Sequence, residues 1–342
     1  MLKKTLTYCF ICVSSLLCAE TFRTEQWEIT ELLWNWGVIS SSCNVGVMGP
    51  RQYFTQPPFD PDSYSQIKRG DIVWVKSGFL QFFYDNVFHK IQNPFILVVG
   101  IGDESFPSDC LHGVNIDDFI QSENIVHIYA QNYDYKGTSK KVTPIPIGVD
   151  FHTVAYATGR GSWGETGSPL EQEARLKEIL STLSPTHLRK KRAFVDFQWN
   201  DTLRCGSFGR HGLFGECRSF IFADLLQTGL IDYSNEYMKR SDLWKMKGQY
   251  AFSICPAGNG LDTHRTWEDL LLGCIVIVKT CPLDPLYKGL PVVIIKNWSE
   301  ITEENLEKWL IRYGDAFTNP SYREKLTNAY WINKIRSTPI PE

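Results

Sequence analysis

Continuous apolar runs alternate with helix-patterned stretches along this chain, and few folds accept that arrangement. Ile72-Val73-Trp74-Val75 is closed by Ser77-Gly78 and followed by helical spacing through Phe79–Ile91. Phe95-Ile96-Leu97-Val98-Val99 opens after Pro94 and closes on Gly100-Ile101-Gly102-Asp103. A short helix over Asn115–Gln121 and a strand over Ile125–Tyr129 come next, and the prolines of Thr143–Gly148 force an extended segment. Runs that are apolar throughout, rather than at every second residue, belong to strands buried on both faces, which means a parallel sheet covered by helices.

The pattern stops in a stretch carrying Gly159, Gly161, Gly164, Gly167 and Pro169, the composition of a linker. It then restarts. Leu170–Leu183 is helical with an acidic start, and Arg189-Lys190-Lys191-Arg192 reads as a solvated basic turn. A strand over Ala193–Phe197, a helix over Ser219–Gln227, a strand over Tyr250–Cys255 and a helix from Thr263 follow. Strands at Cys274–Lys279 and Val292–Ile295 and a helix over Glu303–Tyr313 complete the series. Two α/β halves joined by a glycine-rich link are the expected architecture. Open parallel sheets bind ligands beyond the carboxyl ends of their strands, so the cleft between the halves is the expected site.

A chain of 342 residues is long enough for two such halves. The formal charge is 35 − 38 = −3 with no basic block, so a nucleic-acid partner has no electrostatic support and none is expected. The chain carries 11 Trp, 15 Tyr and 20 Phe, a supply that suits stacking on sugar faces, although core packing is the default use of each ring. Lys3 and Lys4 precede an apolar run from Leu6 to Cys18, with the small Ala19 before Glu20. Residues 1–19 therefore read as a cleaved signal peptide, or alternatively as a short signal anchor giving membrane association. Three of ten cysteines fall in that leader, and no CxxC pair stands in the body, so no zinc knuckle is expected. Cys205 and Cys217 are the pair to test for a disulfide. The sequons Asn200-Asp-Thr202 and Asn297-Trp-Ser299 matter only in a eukaryotic secretory pathway.

Residues 253–279 carry the chemistry. A strand ending at Cys255 enters a tight loop, Pro256–Gly260, and Asp262 or Thr263 is placed to cap a helix whose apolar face is Trp267, Leu270 and Leu271. Gly273 ends that helix and Ile275–Val278 is the next strand. A glycine loop feeding a helix N-terminus offers free N–H groups and a positive dipole end, which suits a diphosphate. Arg265 can add a bidentate phosphate contact. Glu268, three residues on, shares its face, and its carboxylate is suited to ribose hydroxyls; the same two residues could also be a plain surface pair.

At these positions the sequence resembles the exostosin-like glycosyltransferases. The resemblance rests on Gly258-Asn259-Gly260-x-Asp262-x-His264-Arg265-x-Trp267-Glu268, then Leu270 and Gly273–Val278, and on Pro282-Leu283-Asp284-x-Leu286-Tyr287 followed by Gly289–Val293. Ile145–Thr153 is similar to the segment leaving the N-terminal half in that group. The match is dense over about 50 residues and extends loosely from 70 to 300. It implies a GT-B fold, two Rossmann-like domains facing across a cleft: an acceptor-side domain over 20–155, a linker and helix over 156–190, a nucleotide-sugar domain over 191–315 and a C-terminal helix or tail over 316–342. It further implies that Arg265 contacts the diphosphate, Glu268 the ribose, and that Gly258, Asn259 and Gly260 shape the loop against the donor, with Asp262 beside them. His264 would face the sugar, or else bond to backbone on the helix surface. A UDP-sugar as co-substrate, no catalytic metal, and a glycan or glycoprotein acceptor in the Golgi or endoplasmic-reticulum lumen are the corresponding expectations, with export in a bacterium.

The acceptor-activating base is sought at strand ends facing the cleft, where a carboxylate or histidine can take the hydroxyl proton. Asp103, Glu104 and Asp150 are candidates there, Asp103 first because it follows the strongest strand through a Gly-x-Gly turn. Asp150 equally suits a turn cap. Arg204 and Arg210 lie in a glycine-rich loop where a second phosphate contact can arise, although solvated arginines are the default. Two competing readings remain open: a catalytically silent binding relative, and a non-sugar phosphate enzyme, the latter without a Walker loop or dinucleotide fingerprint.

Overall fold

The computed structural model describes residues 27–50, 59–156, 164–199 and 216–342. Its core is two parallel sheets. The first contains β1 (Ile72–Lys76), β2 (Phe95–Gly100), β3 (Ile125–Ala130) and β4 (Val142–Pro144), in the order β1-β2-β3-β4. The second contains β5 (Lys190–Val195), β6 (Ile231–Tyr233), β7 (Tyr250–Ile254), β8 (Ile275–Lys279) and β9 (Val292–Ile295), in the order β6-β5-β7-β8-β9. Every pairing within both sheets is parallel. The α/β class expected from the alternation is therefore the one found. It follows from composition, since β2 is buried at all six positions and β7 at all five. Such strands must be covered on both faces.

The helices set out among the described residues, in chain order, are α1 (Asn35–Ser42), α2 (Leu80–Asn86), α3 (Ile116–Gln121), α4 (His152–Tyr156), α5 (Pro169–Thr182), α6 (Arg218–Thr228), α7 (Arg240–Lys247), α8 (His264–Leu271), α9 (Glu303–Tyr313), α10 (Pro320–Glu324) and α11 (Asn328–Arg336). Helix α5 opens with a capping box between Ser168 and Glu171, which fixes its start. The C-terminal segment returns to the first half: Leu33 N donates to Leu326 O at 2.9 Å, Trp34 N to Asn328 Oδ1 at 2.7 Å, and Tyr129 OH to Lys334 O at 3.1 Å. Among the described residues no helix is long and apolar enough to cross a membrane.

The halves meet at the carboxyl ends of both sheets. Asn132, just past β3, accepts from Asp262 N at 2.8 Å, and the Asp262 carboxylate accepts from Ile147 N, past β4, at 2.8 Å. This seam puts the loop after β7 directly against the first sheet. In the second sheet the strand order reverses between β5 and β7, and that switch point lies at the same edge.

Two local readings change. The basic run is not a solvated turn. Arg189 is buried, donating from Nη1 to Leu272 O and from Nε to Ser184 O, both at 2.7 Å, because carbonyls at the end of α8 need donors that the helix itself lacks. Lys190, Lys191 and Arg192 instead open β5, where Arg192 pairs with Asp232 at 2.8 Å. That strand consequently ends at Val195, and Asp196, read as part of it, stands beyond its carboxyl end. Cys217 is disulfide-bonded, whereas Cys43, Cys110, Cys255, Cys274 and Cys281 are free; Cys205 lies outside the described residues.

Candidate functional site

Helix α8 begins at His264, with Thr263 at the N-cap position but no side-chain cap bond. The Asp262 carboxylate is turned into the seam, where Ile147 N (2.8 Å), Thr263 N (2.9 Å) and Trp267 Nε1 (2.8 Å) all donate to it. Neither expected capping residue thus serves the helix end with its side chain. Trp267, Leu270 and Leu271 are buried as expected, and Gly273 leaves the helix with φ 79°, a conformation only glycine takes at low cost. Gly260 is required for a different reason. A Cβ there would stand 2.7 Å from Asn132 Oδ1, so the loop approaches the first half at the distance a bare backbone allows. Gly258 and the exposed Asn259 form the outer part of the loop, and Arg218 Nε donates to Ala257 O at 3.1 Å beneath it.

Behind the loop lies a buried charge network. Lys247 is 1% exposed and contacts Asp196 Oδ2 at 2.9 Å and also Asp269. Asp269 in turn accepts from Ser253 Oγ and, at 3.3 Å, from Cys255 Sγ. Asp196 holds Arg265 through Nε. The Nη groups of Arg265 have no partner among the described residues, and the side chain is 18% exposed. Burial alone would raise the Asp196 carboxyl, but Arg265 and Lys247 outweigh it and hold it below the usual range. Burial likewise opposes the charge on Lys247, and Asp196 and Asp269 overcome it, raising the ammonium above its ordinary value. The result is an arginine fixed through Nε, with its two Nη groups left to donate.

One turn further along α8, Glu268 Oε1 pairs with Arg240 Nη2 at 2.5 Å and Oε2 accepts from Trp244 Nε1 at 3.1 Å. Arg240 also stacks over Trp244 at 4.6 Å and donates from Nη1 to Gln172 Oε1 at 2.9 Å. Arg265 and Glu268 are therefore not a pair with each other; each answers to a charge from a different element. Burial pushes the Glu268 carboxyl up, while Arg240 and Lys247 bring it below its usual value.

At the start of α8, His264 Nδ1 stands 2.6 Å from Gly148 O, so Nδ1 carries a hydrogen and donates it to that carbonyl. His152 lies beside it, with ring centroids 5.7 Å apart. Nδ1 of His152 stands 3.1 Å from Asp150 Oδ1, which also accepts from Thr153 N at 2.9 Å. Burial lowers the His152 imidazole below 6.5, and His264 and Arg240 add to it against the opposing charge of Asp150. Burial would raise Asp150, but His152, His264 and Arg240 hold it well below the carboxylate range. Ligand-type atoms of Asp150, His152 and His264 all lie within 4.8 Å of one another. The Arg240 charge already acts on both Asp150 and His152, so a metal cation would enter against it. Both contacts to Asp150, from His152 Nδ1 and Thr153 N, fall on its Oδ1. The cluster is tied to the backbone by Gly148 O at His264 and by Thr153 N at Asp150.

Asp103 is exposed, in the turn that follows Ile101. Ile101 has φ 62°, a costly conformation for a β-branched residue and one that concentrates at functional turns. Asn132 Nδ2 donates to Gly102 O at 2.9 Å while its Oδ1 holds Asp262, so this turn and the Gly260 loop share one side chain. Glu104 is taken by Ser77 Oγ at 2.7 Å. Arg204 and Arg210 lie outside the described residues. Residues of the site that the sequence reading gives no functional role are Asp196, Lys247, Asp269, Arg240, Trp244, Asn132 and His152. Only His152 carried a usable signal, standing two positions from Asp150 in the segment leaving β4.

No protein-family model and no curated protein matches the sequence. Solved structures do. A UDP-forming α,α-trehalose-phosphate synthase from Burkholderia xenovorans is 12% identical, with 82% of this chain and 75% of that one covered and a TM-score of 0.41. The N-terminal domain of Candida albicans trehalose-6-phosphate phosphatase is 11% identical over 83% of this chain and 77% of that one, TM-score 0.40. The catalytic domain of starch synthase IV from Arabidopsis thaliana is 11% identical over 80% and 70%, TM-score 0.28. Likenesses this loose say nothing about which residues here do chemistry.

Proposed function

We propose that this chain is a glycosyltransferase that moves a sugar from a UDP-linked donor to a hydroxyl of a glycan or glycoconjugate. The observation that carries the reading is Arg265, tethered through Nε by Asp196 at the carboxyl end of β5, with its Nη edge without a partner among the described residues at the sheet's switch point. Such an edge, beside a glycine loop and a helix N-terminus, is matched to a diphosphate. Glu268 sits one turn on and, though both oxygens are engaged, retains lone pairs for ribose hydroxyls. Gly258 and Asn259 form the outer loop against the donor, and the acceptor approaches from the first half, where Asp103 and Asp150 stand. Diphosphate charge is met by Arg265 and the backbone, so no metal is required. Residues 1–19 would deliver the enzyme to a secretory lumen or hold it at a membrane, where the nucleotide sugar and glycan meet.

Release of UDP from a panel of UDP-sugars by the pure protein tests this directly. Turnover of at least one donor, reduced tenfold or more in Arg265→Ala, is expected from loss of a charge-assisted contact worth about 1.5–3 kcal/mol. Binding of UDP without release of product from any donor would identify a silent relative instead.

A further inference from the structure

We propose that His152, aimed by Asp150, is the catalytic base that takes the proton from the acceptor hydroxyl, so that transfer inverts the anomeric centre. This rests on the nucleotide-sugar reading and extends it from the donor to the reacting oxygen. His152 enters α4 directly from the segment that leaves the first sheet. Its ring lies 5.7 Å from that of His264, which immediately precedes Arg265. The imidazole therefore sits where the acceptor-side half touches the N-terminus of the donor helix.

Three features set it apart from the carboxylates around it. The side chain is 23% exposed, so a substrate can reach it, yet its Nδ1 is buried and faces the Asp150 carboxylate at 3.1 Å. That places Nε2 on the other side of the ring. The two groups are at contact distance without full hydrogen-bond alignment, the loose arrangement usual before substrate tightens such a pair. Asp150 is a poor base itself, since His152, His264 and Arg240 hold its carboxyl low and Thr153 N already occupies Oδ1. Asp103 is exposed and has no side-chain partner to aim it among the described residues.

The charged and titratable groups facing His152 are Asp150 from its own segment, His264 from α8 and Arg240 from α7. Burial and the last two lower the imidazole against the pull of Asp150, which favours the neutral form that accepts a proton. In the step, the acceptor oxygen attacks the anomeric carbon and the bond from that carbon to the diphosphate oxygen breaks. UDP leaves with the electron pair. The hydroxyl proton passes to His152 Nε2 and is later returned to solvent. His264, whose Nδ1 is spent on Gly148 O, acts as a positioning residue.

The test compares wild type with His152→Gln and His152→Ala for UDP affinity by calorimetry, for kcat with the best donor, and for product configuration by proton NMR coupling. The proposal expects UDP affinity within twofold of wild type, kcat at least 100-fold lower in both variants, partial recovery of His152→Ala by added imidazole, and an inverted product. The wild-type kcat should fall on acidification as His152 protonates, with a midpoint below the ordinary histidine value of about 6.5, a limb absent from the variants. Variants that turn over like wild type, or a retained anomeric configuration, overturn the base while leaving the nucleotide-sugar reading intact. Failure of wild type to bind UDP overturns both. Retained UDP affinity in the variants also certifies that they fold.

Discussion

Lys247 shows how much of the site depends on single residues. Its ammonium is almost wholly enclosed and is shared by Asp196 and Asp269, and only through Asp196 does it reach Arg265. Breaking a buried ion pair by removing one partner typically costs about 3–5 kcal/mol, because the charge left behind has lost both water and its counter-ion. Lys247→Met should therefore destabilise the protein by an amount of that order in urea unfolding, whereas Lys245→Met, at an exposed position of the same helix, should be neutral. Equal midpoints for the two variants would remove Lys247 from the account. The sequence exposed Arg265 and Glu268 because a motif surrounds them. Their partners were invisible: Asp196 and Arg240 lie on other elements far away in the chain, and no local period or spacing connects an arginine to a carboxylate across a sheet. Asp150 was legible and His152 beside it was passed over, since a histidine two residues from an aspartate is unremarkable until both are seen against α8.

At the scale of elements, what the sequence revealed and what it hid divide along burial. Strands β2, β7 and β8 announce themselves through unbroken apolar runs. Helix α1 does not, because it is buried nearly all round and so lacks the polar face that gives a helix its period. Strand β5 begins in three charged residues and was therefore read as starting at Ala193. The loop from β7 to α8 is fixed by Asp262, whose burial pushes its carboxyl up to about 6 despite the three N–H groups it accepts. A carboxyl raised in the folded state contributes stability that is fully present below the unfolded value of 3.8 and is lost as pH rises through 6. In Asp262→Asn this contribution is gone, and one of three N–H donors faces an amide NH2. The variant should melt below wild type, and by a wider margin at pH 4.5 than at pH 7.5. A margin that does not change with pH would show that Asp262 does not titrate in this window.

For the whole molecule, the alternation of runs was enough to read two parallel sheets. It could not show that the C-terminal segment crosses back to the first half, where Asn328 bonds Trp34 and Thr30, because those contacts span nearly the full chain and leave no mark on periodicity. Nor could it show that both carboxyl edges meet at one seam through Asn132, Asp262 and His264. That seam makes the donor claim a property of the assembled protein rather than of residues 253–279 alone. Calorimetry of UDP against wild type and Arg265→Ala measures the claim at its centre. The account predicts a dissociation constant between micromolar and millimolar for wild type, weakened at least tenfold, about 1.4 kcal/mol, by the substitution. Equal affinity in the two proteins, or no UDP binding by wild type, would contradict it.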